Sequence, residues 1–174
     1  VTLFTKLVEA NVLADFCVAS EFDSQFTKDI DFGLNNILLK NERVVVIDDY
    51  AHHPSELHAT LDTAFSMGYK RVICLFQPHT YSRTKALLKD FANALMLCDE
   101  VIVADIYAAR EKDVYGVSSE DLAKRINQIG GNAVYLGDFE KIKNYVRENL
   151  SPGDVLITMG AGNVVEIADS LTEE

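Results

Sequence analysis

The side chains able to do chemistry are gathered in four short stretches. The first is Asp48-Asp49-Tyr50-Ala51-His52-His53-Pro54, where two carboxylates and two imidazoles flank an aromatic ring. The second is Gln77-Pro78-His79-Thr80-Tyr81-Ser82-Arg83-Thr84, with His79 and Arg83 spaced to share one face of a first helical turn. Tyr107-Ala108-Ala109-Arg110-Glu111 and Gly160-Ala161-Gly162-Asn163 complete the set. A carboxylate at a strand end can accept hydrogen bonds from a ribose diol. A cation beside a helix N-terminus suits an anion. Closely spaced glycines let the backbone approach a ligand. Each stretch also has a plainer reading. Asp48 and Asp49 could solvate a loop, and His52 and His53 could cap a helix or pack as neutral rings. His58, one turn further on, reads as a surface residue. Arg110 and Glu111 could form a surface ion pair. Asn163 with Glu166 three residues later reads as a capping box.

The elements that must position these stretches follow from the apolar pattern. Val44–Ile47 is a continuous apolar run, as expected of a strand buried on both faces. Pro54 fits the first position of the helix that follows, which places Asp48 to His53 on a strand-to-helix loop. Beyond it, strands and helices alternate: helix Pro54–Met67, strand Arg71–Phe76, helix Ser82–Leu97 capped by Ser82, and strand Val101–Ile106. A helix over Ser118–Ile129, strand Ala133–Leu136, a helix capped by Asp138, strand Val155–Met159 and a closing helix Asn163–Leu171 complete the series. Helices of this length between short apolar strands imply right-handed crossovers and an α/β, Rossmann-like, mostly parallel sheet with helices on both faces. Leu34–Leu39 reads as an additional strand. The short turn Lys40-Asn41-Glu42 into Arg43–Ile47 then predicts an antiparallel hairpin at the start of the sheet. All four chemical stretches follow the carboxyl ends of strands, and in a parallel sheet those ends share one edge. The opposite ends carry plain turns: Gly68-Tyr69-Lys70, Cys98-Asp99-Glu100 and Ser151-Pro152-Gly153.

Upstream, Leu3–Cys17 carries an apolar stripe at helical spacing, and Glu21–Asp31 reads as an acidic connector. Residues 1–31 are therefore read as an N-terminal segment, a linker or the remnant of a preceding domain, and residues 32–174 as the folded domain. The chain opens on Val1, consistent with a piece of a longer protein. Sixteen basic against 27 acidic residues give a net charge of −11, which argues against non-specific binding to nucleic acid or anionic membrane. No apolar run reaches the length of a membrane span, and no signal peptide is evident. The three scattered cysteines, with no zinc-type spacing, read as free thiols in a reducing cytoplasm. There is no Gly-Lys pair and hence no P-loop, no G-x-S-x-G elbow, and Val165 stands where a dinucleotide fingerprint needs its third glycine.

Taken together, DDYAHHPSEL at Asp48–Leu57, FQPHTYSRT at Phe76–Thr84, AARE at Ala108–Glu111 with GVSSEDL at Gly116–Leu122, and MGAGN at Met159–Asn163 resemble the carboxy-terminal domain of the Mur ligases. The match runs from about residue 32 to 172, and the Gln77–Thr84 string points to the family's alanine-adding member. The resemblance implies a three-domain enzyme of peptidoglycan synthesis that joins L-alanine to UDP-N-acetylmuramate. An amino-terminal domain would bind the UDP-sugar, and a central P-loop domain would hold most of ATP and Mg2+. The present domain would bring the amino acid and close over the nucleotide. The resemblance matches Asp49 to the carboxylate on the ATP ribose and sets Tyr50, His52 and His53 along the closing face. It sets His79 and Arg83, with Arg110 and Glu111 nearby, toward the reacting carboxylates. Two departures stand out. Thr80 replaces an arginine found in many members, and the acidic lead-in Thr27–Phe32 stands where a basic segment is usual. On this reading the chain alone has no ligase activity.

Two other readings fit the residues. Asp48, Asp49, His52, His53 and His79 could ligate the metals of a phosphoesterase. A non-enzymatic nucleotide- or partner-binding module of flavodoxin-like shape could use the same edge. Within the family, the peptide-recycling ligase is the alternative.

Overall fold

The computed structural model describes residues 44–172 together with the backbone of Thr5 and Lys6. The elements are β1 (Thr5–Lys6), β2 (Val45–Asp49), α1 (Pro54–Ser66), β3 (Arg71–Phe76), α2 (Tyr81–Leu95) and β4 (Glu100–Ala104). They continue with α3 (Ser119–Gln128), β5 (Ala133–Gly137), α4 (Phe139–Asn149), β6 (Asp154–Met159) and α5 (Val165–Thr172). The sheet order is β1-β2-β6-β3-β4-β5, with β2, β6, β3, β4 and β5 all parallel. The expectation of a mostly parallel sheet with helices on both faces holds.

The expected hairpin does not. The antiparallel neighbour of β2 is β1, with Thr5 opposite Asp49 and Lys6 opposite Asp48. Thr5 and Lys6 fall inside the stretch expected to be helical. An edge strand offers its unpaired N–H and C=O groups to any extended segment, so the edge beside β2 is open to more than one partner. The expected strand Leu34–Leu39, the acidic connector and the boundary at residue 32 lie outside the described residues.

The core forms in two layers. On one face Leu57 and Leu61 of α1, Phe91 and Leu95 of α2, and Leu122 and Ile126 of α3 pack on Ile47, Cys74, Phe76, Val103 and Ile157. On the other, Ile142 and Val146 of α4 and Ile167 of α5 cover Ile73, Leu75, Ile102 and Leu156. Alternate residues of one strand thus enter different layers, as the pleat dictates. β3 and β6 are buried along nearly their whole length, which explains the apolar runs Val72–Phe76 and Val155–Ile157 within them.

This connectivity creates a switch point. From β2 the chain moves outward through β3, β4 and β5, with α1 to α3 on one face. It then returns to β6, between β2 and β3, and leaves along the opposite face through α5. The loops after β6 and its two neighbours therefore diverge to opposite faces, and a switch point of this kind at the carboxyl edge is where open α/β sheets hold ligands.

Candidate functional site

Asp48 and Asp49 are the last two residues of β2 rather than part of a loop, paired with Thr158 and Met159 of β6. Both are buried. Their side chains serve the strand end: Thr158 donates its hydroxyl to Asp48 Oδ1 at 2.6 Å. Asp49 accepts the Ala51 N–H at 3.0 Å and the Thr60 hydroxyl at 2.5 Å. Burial pushes the Asp49 carboxyl above its ordinary range, against the opposing pull of the Thr60 and Ala51 hydrogen bonds. Asp49 therefore ties the start of the loop to the body of α1, and its backbone carbonyl accepts the N–H of Gly160 at 3.1 Å.

The two histidines divide. His53 is the N-cap of α1: its Nδ1 accepts from the Ser55 N–H, and Glu56 Oε2 reaches back to the His53 N–H in a capping box. His53 is exposed and turned to helix capping. His52 turns the other way. Its Nδ1 lies 3.0 Å from the Tyr50 carbonyl oxygen and its ring sits edge-on to the exposed ring of Tyr50, 5.4 Å between centroids. The His52 ring is 6.2 Å from that of His79, and His79 stacks on Tyr107 at 5.6 Å. One row of rings, Tyr50-His52-His79-Tyr107, thus crosses the loops after β2, β3 and β4.

The loop after β3 is held by its neighbours. Gln77 is buried. Its Oε1 accepts the N–H groups of Asn163 and Val164, and its Nε2 donates to Asn163 Oδ1 at 3.0 Å. Asn163 is therefore engaged with Gln77 instead of forming the expected capping box, and α5 begins at Val165. The glycines beside it are sterically required. A Cβ on Gly162 would lie 2.3 Å from Gln77 Oε1 and 2.7 Å from the Tyr107 ring. Gly160 adopts φ +152°, and a Cβ there would lie 2.8 Å from the Gln77 carbonyl oxygen. Gly162→Ala is expected to lower stability by about 2 kcal/mol, the usual range for overpacking, read as a lowered urea midpoint.

Thr80, not Ser82, is the N-cap of α2, with φ +67° and no side-chain cap bond. That conformation is strained for a β-branched residue. It is held from both sides: the Thr80 N–H donates to the Tyr107 carbonyl, and the Thr84 N–H and hydroxyl both donate to the Thr80 carbonyl. The cap is supplied from elsewhere. Glu111 accepts the Ser82 N–H at 2.8 Å through Oε2 and the Ser82 hydroxyl through Oε1. Those bonds hold the Glu111 carboxyl below its ordinary range. Arg110, exposed in the turn before it, is not brought into an ion pair with Glu111 in this arrangement.

Arg83 lies in the first turn of α2, half-buried, with Nη1 shielded and unpartnered among the described residues. His79 Nδ1 is in the same condition. Burial, and then the nearby Arg83 cation, push His79 below its ordinary range, so the imidazole is neutral at pH 7. The site thus offers a neutral ring nitrogen and a guanidinium without a hydrogen-bond partner at Nη1, side by side at the switch point. Sequence reasoning placed Gln77 and Tyr107 in the chemical stretches without giving them a role, and did not single out Thr60 or Thr158. Only Gln77 carried a readable signal, a polar residue directly after a buried strand.

Among the described residues no group of three or more His, Cys, Asp or Glu is placed to hold a metal ion. The two-metal phosphoesterase reading therefore lacks its ligand set: Asp48 and Asp49 accept from threonines, and His53 caps a helix.

A parallel α/β domain with this strand order is of doubly wound type, and its unusual residues converge at the switch point. The family model described as "Mur ligase, glutamate ligase domain" matches residues 36–162, and the chain belongs to that family. It is 53% identical over 133 residues to the UDP-N-acetylmuramate–L-alanine ligase of Caldanaerobacter subterraneus subsp. tengcongensis, covering 76% of this chain and 29% of that protein. The correspondingly named ligase of Alkaliphilus metalliredigens is 54% identical over 129 residues, covering 74% and 28%. Among solved structures, the UDP-N-acetylmuramate–alanine ligase of Thermotoga maritima superposes with a TM-score of 0.60 at 26% identity, covering 75% of this chain and 26% of that one. A murein peptide ligase from Psychrobacter arcticus gives 0.60 at 20% identity, covering 78% and 28%, a likeness of fold. The chain spans less than a third of the length of these relatives.

Proposed function

We propose that this chain, from about residue 32 onward, is the amino-acid-binding and nucleotide-closing domain of an ATP-dependent ligase that joins L-alanine to UDP-N-acetylmuramate. The observation that carries the reading is the side-by-side placement of His79 and Arg83 at the switch point, in a chain about half identical to proteins of that name. The reaction begins with transfer of the ATP γ-phosphoryl group to the muramoyl carboxylate. The deprotonated amine of L-alanine then attacks the acyl carbon, a C–N bond forms, and inorganic phosphate leaves. Arg83 suits the alanine carboxylate or the charge growing on the acyl phosphate. The neutral His79 beside it offers a lone pair without adding a second positive charge. Tyr50 and His52 wall the amino-acid side. Asp49 serves the ribose by exchanging one of its present hydrogen bonds. On this reading ATP and Mg2+ are held mainly by a central domain of the full-length enzyme. The enzyme is assigned to the cytoplasm, where UDP-sugars and ATP are available. No described helix is long and apolar enough to cross a membrane.

The test grafts this chain into the Caldanaerobacter relative in place of its matching 133 residues. Phosphate release should require ATP, UDP-N-acetylmuramate and L-alanine together. Release that ignores L-alanine, or that prefers a tripeptide in its place, would refute the alanine assignment.

A further inference from the structure

Arg110 and Glu111 of the third stretch are expected from the resemblance to lie toward the substrate. The geometry points instead to a different role, and we propose that Glu111 is a positioning residue: from the β4 loop it clamps the first turn of α2, so that His79 and Arg83 face the amino-acid substrate. This deepens the ligase reading and rests on it.

Besides the stacking of His79 on Tyr107, three hydrogen-bonded contacts join the β4 loop to the Pro78–Arg83 segment. The Tyr107 N–H donates to the Pro78 carbonyl at 2.8 Å, and the Thr80 N–H donates to the Tyr107 carbonyl at 2.9 Å. The third is the Glu111 carboxylate on the Ser82 N–H and hydroxyl. The first two fix His79 and Thr80 as a single bridge beside Tyr107. Only the Glu111 contact reaches past the strained Thr80 into the helix that carries Arg83. Thr80 makes no cap bond of its own, so the orphan N–H of Ser82 depends on Glu111. The loop is shaped to deliver that carboxylate. Ala109 takes φ +53°, and the Glu111 N–H closes a turn on the Ala108 carbonyl at 2.9 Å. A non-glycine residue held at positive φ, one residue beyond the turn's start, marks a backbone constrained for a purpose. The two Glu111 oxygens bridge the backbone N–H and the hydroxyl of one residue, Ser82, as a clamp on the helix start would.

The test uses the grafted ligase and its Glu111→Ala, Glu111→Gln and Ser82→Ala variants. Glu111→Ala should raise the KM for L-alanine about tenfold or more, because a misplaced positioning group costs on that scale, while the KM for ATP stays unchanged. Glu111→Gln keeps an acceptor for Ser82 and should recover most of the loss. If Glu111→Ala does not fold, Ser82→Ala decides, with an expected rise in the KM for L-alanine of about threefold. Equal rises in every KM, no change in any, or a glutamine variant as impaired as the alanine one would overturn the proposal. The last of these would mean that the charge itself is used on substrate. Failure of the unmutated graft to use L-alanine would strike the ligase reading instead.

Discussion

Replacing Arg83 by methionine in the grafted ligase should lower kcat/KM for L-alanine about a hundredfold, the scale of losing one preorganised charge-stabilising donor. The protein should remain folded, because the methionine stem fills the same half-buried slot. Arg83 is the only cation in the segment from Gln77 to Thr84, with threonine at position 80. Its shielded Nη1 has no acceptor among the described residues, an arrangement that is costly unless a ligand supplies one. Arg83→Lys keeps the charge but loses the planar fork, and should fall between, about tenfold below the parent. Steady-state kinetics with varied L-alanine check both. A methionine variant within twofold of the parent would remove Arg83 from the site.

The second large effect lies at the opposite edge and concerns stability. Asp154→Ala should destabilise the chain by about 2 kcal/mol, short of the range for a fully buried pair because the Arg71 side chain is one-third exposed. The Asp154 side chain is fully buried, and Arg71 grips it through Nε at 3.1 Å and Nη2 at 2.5 Å. The Ser151 N–H donates to the same carboxylate, and Arg71 Nη2 also reaches the Asn149 carbonyl. Glu100, which accepts the Tyr145 hydroxyl at 2.5 Å, lies 3.7 Å from Arg71 and completes the network. Burial alone would raise the Asp154 pKa, but the hydrogen bonds from Arg71 and Ser151 outweigh it and leave it below 3.8. As pH falls, the unfolded chain therefore takes up this proton first. The stabilisation is complete above the unfolded value and is lost as pH falls through the folded one. Urea denaturation at pH 7 should show the full difference between parent and variant, and at pH 3 a smaller one.

The contrast between these edges was legible in the sequence. Apolar runs such as Val72–Phe76 and Val155–Ile157 announce strands buried on both faces, and the helices between them force the strands parallel. Plain turns at one end and His, Arg and Gly at the other then follow from reading which loop comes after which strand. The pairings that shape the site were not legible. Whether Asp49 faces a ligand or Thr60 depends on a contact across 11 residues, and Glu111 reaches Ser82 across 29. Local spacing suggests caps at Ser82 and Asn163. Tertiary partners displace both: Glu111 takes up the Ser82 N–H and hydroxyl, and Gln77 takes up the N–H groups of Asn163 and Val164, so neither residue is left to act as the cap. His53 shows the reverse: its capping of α1 is wholly local, and the helix-start signal at Pro54 contained it.

The central claim is that ligands gather at one edge only. Amide hydrogen exchange on the grafted ligase, with and without ATP, UDP-N-acetylmuramate and L-alanine, tests it most directly. Slowed exchange is expected within residues 50–56, 77–84, 105–115 and 160–164, with residues 68–70, 98–100 and 151–153 unchanged. Protection centred on the latter three turns, or none in any of the former four segments, would contradict the account.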